Sequence, residues 1–226
     1  MKPKYDVVLF DFDGTVFDTS EGIINCVQYA QQKLGVPLFP ELSDYRKFIG
    51  PPLIYSFTHF CGLSQEDGEK ACAYYRERYN AGGVWESRVY PGMVALLRDL
   101  RKSGAKVGVA SAKPEHFIHK LLERFEVADC FDTVVGALPD GSGAEKDMLI
   151  ARAYDQLRKD DMPLQQAKVV MIGDRSYDAI GARMQQIDFI GALYGFGAPE
   201  EFLAEGYSAM ADTVDGLRKY LFEEEE

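Results

Sequence analysis

The sequence predicts an α/β fold in which an open parallel sheet carries a small inserted helical domain. Three observations lead to this prediction. Short apolar segments rich in Val and Ile recur along the chain, amphipathic segments with helical spacing separate them, and one long segment near the N-terminus has no strand-like pattern. Strands that alternate with helices of this length form βαβ units, whose strands pair in parallel.

The predicted strands are short and almost entirely apolar, as expected for strands buried on both faces of a parallel sheet. Strand-like segments lie at residues 5–10, 106–110, 133–136, 168–173 and 188–193. Amphipathic helices are predicted at residues 93–103, 115–125 and 146–157, because apolar side chains recur there every three or four positions. These units predict a Rossmann-like open parallel sheet as the core of the protein.

The segment that follows the first strand contains helical patterns and no strand. Apolar residues repeat at helical spacing up to Gly35, and a second helical pattern ends near Tyr79. This block is therefore expected to be a small helical domain inserted after the first strand. The predicted division is residues 1–17 and 84–226 for the α/β core and residues 18–83 for the helical domain.

The composition excludes several classes of protein. With 46% hydrophobic and 27% charged residues, the chain is typical of a folded globular protein and not of a disordered one. A formal net charge of -11 repels nucleic acid and anionic lipid, so neither is an expected partner. A negatively charged small substrate would need a locally positive site.

The cellular location is predicted from features that the sequence lacks. The first residues show no signal-peptide pattern, and no segment approaches the roughly 18 apolar residues of a membrane span. The four cysteines have no CxxC spacing and are expected to be reduced thiols. We therefore expect a cytoplasmic protein that is a monomer or a weak homodimer. The run of glutamates at residues 223–226 is predicted to be a solvated tail.

Acidic residues follow the predicted strands at the ends where an open parallel sheet binds its ligands. Asp11 and Asp13 come after the first strand, Ser111 after the second, and Asp174 and Asp178 after the last long one. Carboxylates that converge there repel one another unless a divalent cation lies between them. Oxygen ligands without histidine favour Mg²⁺. Each aspartate by itself has an alternative role as a helix N-cap or turn residue, but their joint placement favours one site.

These residues carry a resemblance to the haloacid dehalogenase (HAD) superfamily of phosphohydrolases that covers nearly the whole chain. Residues 11–18 match its first motif, DxDGTxxD, and residues 173–178 match its fourth, GDxxxD. Ser111 matches the second motif and Lys146 fits the third. Members that act as dehalogenases or cleave phosphonates lack an aspartate two positions after the nucleophile. The presence of Asp13 therefore indicates phosphate transfer.

The resemblance implies a Mg²⁺-dependent phosphatase that acts on a small phosphorylated molecule. Asp11 is then the nucleophile that forms an aspartyl phosphate, and Asp13 protonates the leaving oxygen and later takes a proton from water. Ser111 and Lys146 complete the catalytic set by holding phosphate oxygens. The phosphate-binding residues implied are Gly14, Thr15, Ser111, Ala112 and Lys146. The metal ligands implied are Asp11, the main-chain carbonyl of Asp13, Asp174 and, directly or through water, Asp178.

The helical segment at residues 18–83 resembles the cap of this family, which closes over small substrates and excludes water. Two prolines in the loop at residues 48–53 argue against a helix there, and we expect this loop to contribute to specificity. Arg46, Lys47 and Tyr55 flank it and are further candidates. A plain turn between helices is the alternative interpretation of the loop.

Other segments resemble the phosphoglycolate phosphatase-like and pyrophosphatase-like branch, and they lie at residues 89–92, 111–114 and 191–197. Phosphoglycolate, a nucleoside monophosphate and pyrophosphate all remain open as substrates. A phosphosugar mutase of the β-phosphoglucomutase kind is one alternative, but Pro51 and Pro52 replace its usual arginine-serine pair. A non-catalytic binding protein on the same fold is the other, and the presence of every motif aspartate argues against it.

Overall fold

The computed structural model describes residues 1–158 and 166–223, and the last three glutamates of the predicted solvated tail lie outside this range. The chain divides into two compact units. The larger unit consists of Met1–Phe17 and Val89–Glu226, and the smaller unit is Asp18–Arg88.

Short strands alternate with helices along most of the chain. The strands are β1 (Val7–Phe10), β2 (Phe17–Asp18), β3 (Arg88–Val89), β4 (Lys106–Pro114), β5 (Thr133–Ala137), β6 (Val169–Gly173), β7 (Asp188–Ala192) and β8 (Met210–Ala211). The helices are α1 (Ser20–Leu34), α2 (Leu53–Phe60), α3 (Gln65–Ala81), α4 (Met93–Ser103), α5 (Glu115–Arg124), α6 (Lys146–Leu157), α7 (Ser176–Met184), α8 (Pro199–Leu203) and α9 (Arg218–Leu221).

Six strands of the larger unit form one sheet in the order β5-β4-β1-β6-β7-β8, and every pair of neighbours is parallel. The prediction of an open parallel sheet is confirmed. The first strand lies in the middle, with Phe10 opposite Val109 on one side and Ile172 on the other. The chain builds outward from β1 in one direction and then in the other, so the topological switch point lies at the end of β1.

The core of the sheet is apolar on both faces, as the strand sequences predict. All four residues of β1 and all five of β6 are buried. Helix α6 packs against one face through Leu149, Ile150 and Ala153, and it begins at Lys146 as predicted. This packing fixes the first turn of α6 beside the ends of the central strands.

One strand is longer than its sequence predicts. The prediction ends β4 at Ala110, but the strand continues to Pro114 with a shift of register on the way. Pairing with β5 resumes at Pro114 and Ala137. The reason is close backbone packing, since a Cβ at Gly136 would lie 2.6 Å from the carbonyl oxygen of Lys113. A residue with a side chain at Gly136 would push the two strand ends apart.

The smaller unit is helical, with α1 and α2 both packed on α3. It extends past Gly83 because the chain after α3 stays attached to α1. The amide of Gly22 donates to the carbonyl of Glu86, and the Glu86 carboxylate accepts hydrogen bonds from Asn25 and Arg78. A Cβ at Gly22 would lie 2.2 Å from the carbonyl oxygen of Gly83, so only glycine fits there.

The loop at residues 48–53 is only partly available for substrate recognition. Phe48 and Ile49 are buried, and the Phe48 ring packs against Phe39, Phe57 and Phe60 within the smaller unit. Helix α2 begins directly after the two prolines, at Leu53. Phe48 therefore contributes to the core of this unit. None of the helices in residues 1–158 and 166–223 has the length and hydropathy of a membrane span.

Candidate active site

Three aspartates converge at the carboxyl ends of the central strands. Asp11 follows β1 directly, and its amide donates to the carbonyl of Ile172 at 2.8 Å. Asp174 follows β6, and Asp178 lies in the first turn of α7. Each of the three offers a carboxylate oxygen within 4.8 Å of the others, and all three side chains are buried. This is the only group of three or more such residues that could hold a metal among those that the structure describes.

Lys146 joins two of these aspartates. Its ammonium lies 2.7 Å from Oδ1 of Asp11 and 2.7 Å from Oδ1 of Asp178, and it also donates to the carbonyl of Ala110 at 3.0 Å. Burial by itself disfavours the charged ammonium, but the two carboxylates outweigh it and raise the pKa of Lys146 above its ordinary value. Lys146 therefore remains protonated and lies where it can contact a phosphate bound at Asp11.

Asp174 is the most deeply buried of the three carboxylates. Its Oδ1 accepts a hydrogen bond from the Thr15 hydroxyl at 3.3 Å, and its Oδ2 accepts one from the Phe196 amide at 2.9 Å. Burial raises the pKa of Asp174 well above its ordinary value, and the neighbouring Asp178 and Asp11 raise it further. Such a carboxylate is stabilised in its charged form when a cation binds beside it.

Asp178 has a similar environment. Burial raises its pKa to about 6, and the charge of Asp11 acts in the same direction, while Lys146 opposes both. The amide of Arg175 donates to Oδ2 of Asp178 at 3.0 Å, which leaves Oδ1 toward Lys146. The first turn of α7 therefore fixes this side chain.

Glycines allow the loops to approach Asp174 closely. Gly14 has φ +82, and a Cβ there would lie 2.1 Å from Oδ2 of Asp174. A Cβ at Gly195 would lie 2.4 Å from the Cβ of Asp174. The glycine-rich segment at residues 191–197 was not predicted to lie at the site. Its glycines were the available signal, because they permit close backbone approach.

A second buried lysine, Lys113, lies beside the site. Its ammonium is 3.0 Å from Oδ1 and 3.2 Å from Oδ2 of Asp13. Lys113 was not among the predicted site residues. Its partner Asp13 lies 100 residues away along the chain, so no local pattern indicates the ion pair. Asp13 itself is outside the cluster of three aspartates, and its main-chain carbonyl is the atom predicted as a metal ligand.

Of the other predicted phosphate-binding residues, Gly14 and Thr15 lie in the loop after β1, and Ser111 and Ala112 lie in the C-terminal part of β4. Ser111 is buried, and its hydroxyl accepts a hydrogen bond from the Lys113 amide at 3.3 Å, with half-buried Ala112 between them. The amide of Gly14 donates to the carbonyl of Phe17 at 2.7 Å. In this structure Gly14 shapes the loop and Thr15 holds Asp174. Direct phosphate contacts by the five predicted residues remain predictions.

The charges of the site fit a divalent cation. Four carboxylates (Asp11, Asp13, Asp174, Asp178) and two ammonium groups (Lys113, Lys146) leave a formal charge of 2 − 4 = −2. The donors available to a metal are all oxygens, which suits Mg²⁺ and does not suit zinc. The donor set and the raised pKa values of Asp174 and Asp178 therefore both fit such an ion.

Comparisons with known proteins identify the family of this chain. The model of the haloacid dehalogenase-like hydrolase family matches residues 8–192. A 5'-nucleotidase from Pseudomonas aeruginosa is 34% identical over 96% of this chain and 96% of its own length. Tyrosine-protein kinase PtkA from Mycobacterium tuberculosis is 34% identical over 95% of this chain and 72% of its own length.

Solved structures show the same fold. The crystal structure of a predicted phosphatase from Clostridium acetobutylicum has a TM-score of 0.86 and 38% identity, and covers 96% of this chain and 97% of that one. More distant relatives include a phosphoglycolate phosphatase from Vibrio parahaemolyticus, 25% identical over 93% of each chain. The sequence-based recognition is confirmed, and the chain belongs to the haloacid dehalogenase-like hydrolase family.

Proposed function

We propose that this protein is a Mg²⁺-dependent phosphatase that hydrolyses a small phosphate monoester through an aspartyl phosphate on Asp11. One observation carries the proposal. The Asp11 carboxylate lies 2.7 Å from the buried ammonium of Lys146 and within 4.8 Å of two further buried carboxylates, Asp174 and Asp178. This arrangement supports the proposal, because a nucleophile, a cation that neutralises phosphate and a metal site must lie close together for this reaction.

The proposed reaction has two steps. In the first, a carboxylate oxygen of Asp11 bonds to phosphorus, the bond from phosphorus to the ester oxygen breaks, and Asp13 gives its proton to that oxygen. In the second, Asp13 takes a proton from water, the water oxygen bonds to phosphorus, and the bond to Asp11 breaks. Inorganic phosphate and an alcohol are the products.

Side chains of the site support the transferred group. Lys146 and Ser111 donate to the phosphate oxygens in the proposed complex, and the loop at residues 12–15 adds backbone amides. Mg²⁺, held by Asp11, Asp174, Asp178 and the carbonyl of Asp13, would supply a positive charge that neutralises the phosphoryl oxygens. The candidate triad supports this assignment because its oxygens already lie within 4.8 Å of one another.

The names of the relatives set the order in which we propose to test substrates. Similarity to a 5'-nucleotidase at 34% identity makes nucleoside 5'-monophosphates the first class to test, and similarity to a phosphoglycolate phosphatase at 25% makes phosphoglycolate the second. The net charge of -11 favours a small substrate over nucleic acid or a membrane surface. We propose a cytoplasmic enzyme that acts as a monomer or weak homodimer.

A panel of substrates tests the proposal. p-Nitrophenyl phosphate, nucleoside 5'-monophosphates, phosphoglycolate and β-glucose 1-phosphate are incubated with the protein in Mg²⁺ and, in parallel, in excess EDTA. We expect release of inorganic phosphate that EDTA abolishes. Formation of glucose 6-phosphate without phosphate release would instead indicate the mutase, and full activity in EDTA would reject the metal. A protein that releases phosphate from none of these is not the proposed phosphatase.

A further inference from the structure

Lys113 has no role in the reaction as set out above, although it is buried beside the site. We propose that Lys113 is a positioning residue, which holds the Asp13 side chain beside the leaving oxygen, where Asp13 in its acid form donates a proton in the first step. The inference rests on the proposed phosphatase function and adds one residue to it.

The ammonium of Lys113 contacts both carboxylate oxygens of Asp13. The Lys113 ammonium lies 3.0 Å from one oxygen of Asp13 and 3.2 Å from the other, and its side chain is only 4% exposed against 19% for Asp13. The ammonium also lies 5.9 Å from the centre of the Phe12 ring. A contact to both oxygens keeps the carboxyl group facing the ammonium and limits how far it can move.

The backbone of Lys113 is fixed independently of Asp13. Its amide donates to the Ser111 hydroxyl at 3.3 Å, and its carbonyl oxygen lies against Gly136 with no room for a Cβ between them. Lys113 belongs to the part of β4 that extends beyond the predicted end of the strand to Pro114. The ammonium is therefore supported by the sheet, which is the rigid part of a site.

Lys146, the other buried lysine of the site, does not hold Asp13. In this structure the three N–H donors of Lys146 face Asp11, Asp178 and the carbonyl of Ala110, and none of them is directed at Asp13. Among the residues that the structure describes, no other cation forms an ion pair with Asp13. Lys146 thus pairs with Asp11 and Asp178, and Lys113 pairs with Asp13.

A positioning role has a distinctive kinetic consequence. Protonation of the leaving oxygen matters when the leaving group is a strong base, and it matters little when the leaving group is a stable anion. p-Nitrophenyl phosphate and phenyl phosphate have the same ring and differ mainly in this property. Displacement of the Asp13 carboxylate should therefore slow phenyl phosphate more than p-nitrophenyl phosphate, whereas general damage to the site slows both equally.

The test compares kcat/KM for these two substrates in Lys113→Met, which keeps the methylene stem and removes the ammonium. We expect kcat/KM for phenyl phosphate to fall at least about tenfold further than for p-nitrophenyl phosphate, because general acid catalysis contributes roughly 10²–10⁴-fold. Asp13→Asn provides the reference for complete loss of the acid. Lys106→Met is the matched control, since Lys106 lies on the same strand and pairs with Asp132 at 3.4 Å.

The measurements distinguish failure of the proposed phosphatase function from failure of the positioning role of Lys113. If wild-type protein releases phosphate neither from these two esters nor from the other substrates of the panel, the proposed function fails. If it hydrolyses both and Lys113→Met changes their ratio by less than about tenfold, the positioning role fails while the phosphatase stands. Lys113→Leu, which also removes the ammonium, is judged by the same tenfold change in the substrate ratio and decides the question if Lys113→Met does not fold.

Discussion

The Lys146 ammonium lies 2.7 Å from Oδ1 of Asp11, so the proposed nucleophile is already paired with a buried cation. The same nitrogen is 2.7 Å from Asp178, which belongs to the candidate metal site. The nucleophile and the metal ligands are thus linked through one side chain at the start of α6. A change at any of the three alters the electrostatic environment of the other two.

Asp11→Asn should fold with similar stability and lose nearly all activity. The amide cannot form an acyl phosphate, while Asp178 still pairs with Lys146 and keeps that ammonium compensated. Phosphate release from p-nitrophenyl phosphate and a thermal melt measure the two effects. Asp188→Asn is the control, because Asp188 accepts a hydrogen bond from Tyr5 at the opposite end of the sheet. Retention of more than about a tenth of the wild-type rate in Asp11→Asn would contradict a nucleophilic role.

Mg²⁺ should stabilise the protein more at pH 8 than at pH 5. The folded-state pKa of Asp174 is raised by burial, Asp178 and Asp11, and that of Asp178 is raised to about 6. Between the unfolded value near 3.9 and these raised values, the folded protein binds more protons than the unfolded chain does. The stability of the metal-free protein therefore falls as pH rises through this window.

A bound divalent cation offsets that loss because it stabilises the ionised carboxylates. The measurement is the change in Tm on adding Mg²⁺ at pH 5, 6, 7 and 8, with EDTA as the reference. Asp174→Asn should reduce the Mg²⁺ effect at every pH, since it removes one of the proposed ligands and a carboxylate whose pKa burial raises. An equal Mg²⁺ effect at pH 5 and pH 8 would exclude this account.

Gly14→Ala should impair the site far more than Gly35→Ala does. Both glycines have positive φ, +82 and +69, so both substitutions carry a similar backbone cost of about 1 kcal/mol. Only at Gly14 does the added methyl meet Asp174, at 2.1 Å, whereas nothing lies within 4 Å at Gly35. We expect kcat/KM to fall by about 10²-fold in Gly14→Ala, because a shift of about 1 Å has that effect at an active site. Similar activity in the two variants would show that the loop adjusts without moving Asp174.

Tyr55→Ala should change substrate preference, while Phe48→Ala should change stability. Tyr55 is 46% exposed at the start of α2, and Phe48 is buried among aromatic rings. We expect Tyr55→Ala to alter kcat/KM unequally among nucleotide, glycolate and aryl phosphates, with the aryl phosphate least affected. Phe48→Ala should lower the free energy of unfolding of its unit by about 3–5 kcal/mol. Uniform effects of Tyr55→Ala on all substrates would mean that specificity lies elsewhere.

Local patterns were sufficient for five of the six strands of the sheet and for the five longest helices, whereas β8, a strand of only two residues, was not predicted. The strands at residues 5–10 and 168–173 were predicted from apolar runs, and α4 and α6 begin and end where their periodicity indicates. Burial on both faces selects such runs, so the signal lies within each segment. The prediction failed at the end of β4 and did not separate α2, because the polar continuation of β4 and the short apolar α2 carry no distinct period.

The sequence by itself determined which chemical groups follow which predicted strands. Asp11, Ser111 and Asp174 each come directly after an apolar segment that was predicted to be a strand. Only the tertiary structure decided how these groups are paired. The ion pair between Lys113 and Asp13 spans 100 residues, and the contact of Gly14 with Asp174 depends on loop geometry. The physical reason is that strand register and backbone approach set side-chain distances to within an ångström, and the packing of distant segments sets both.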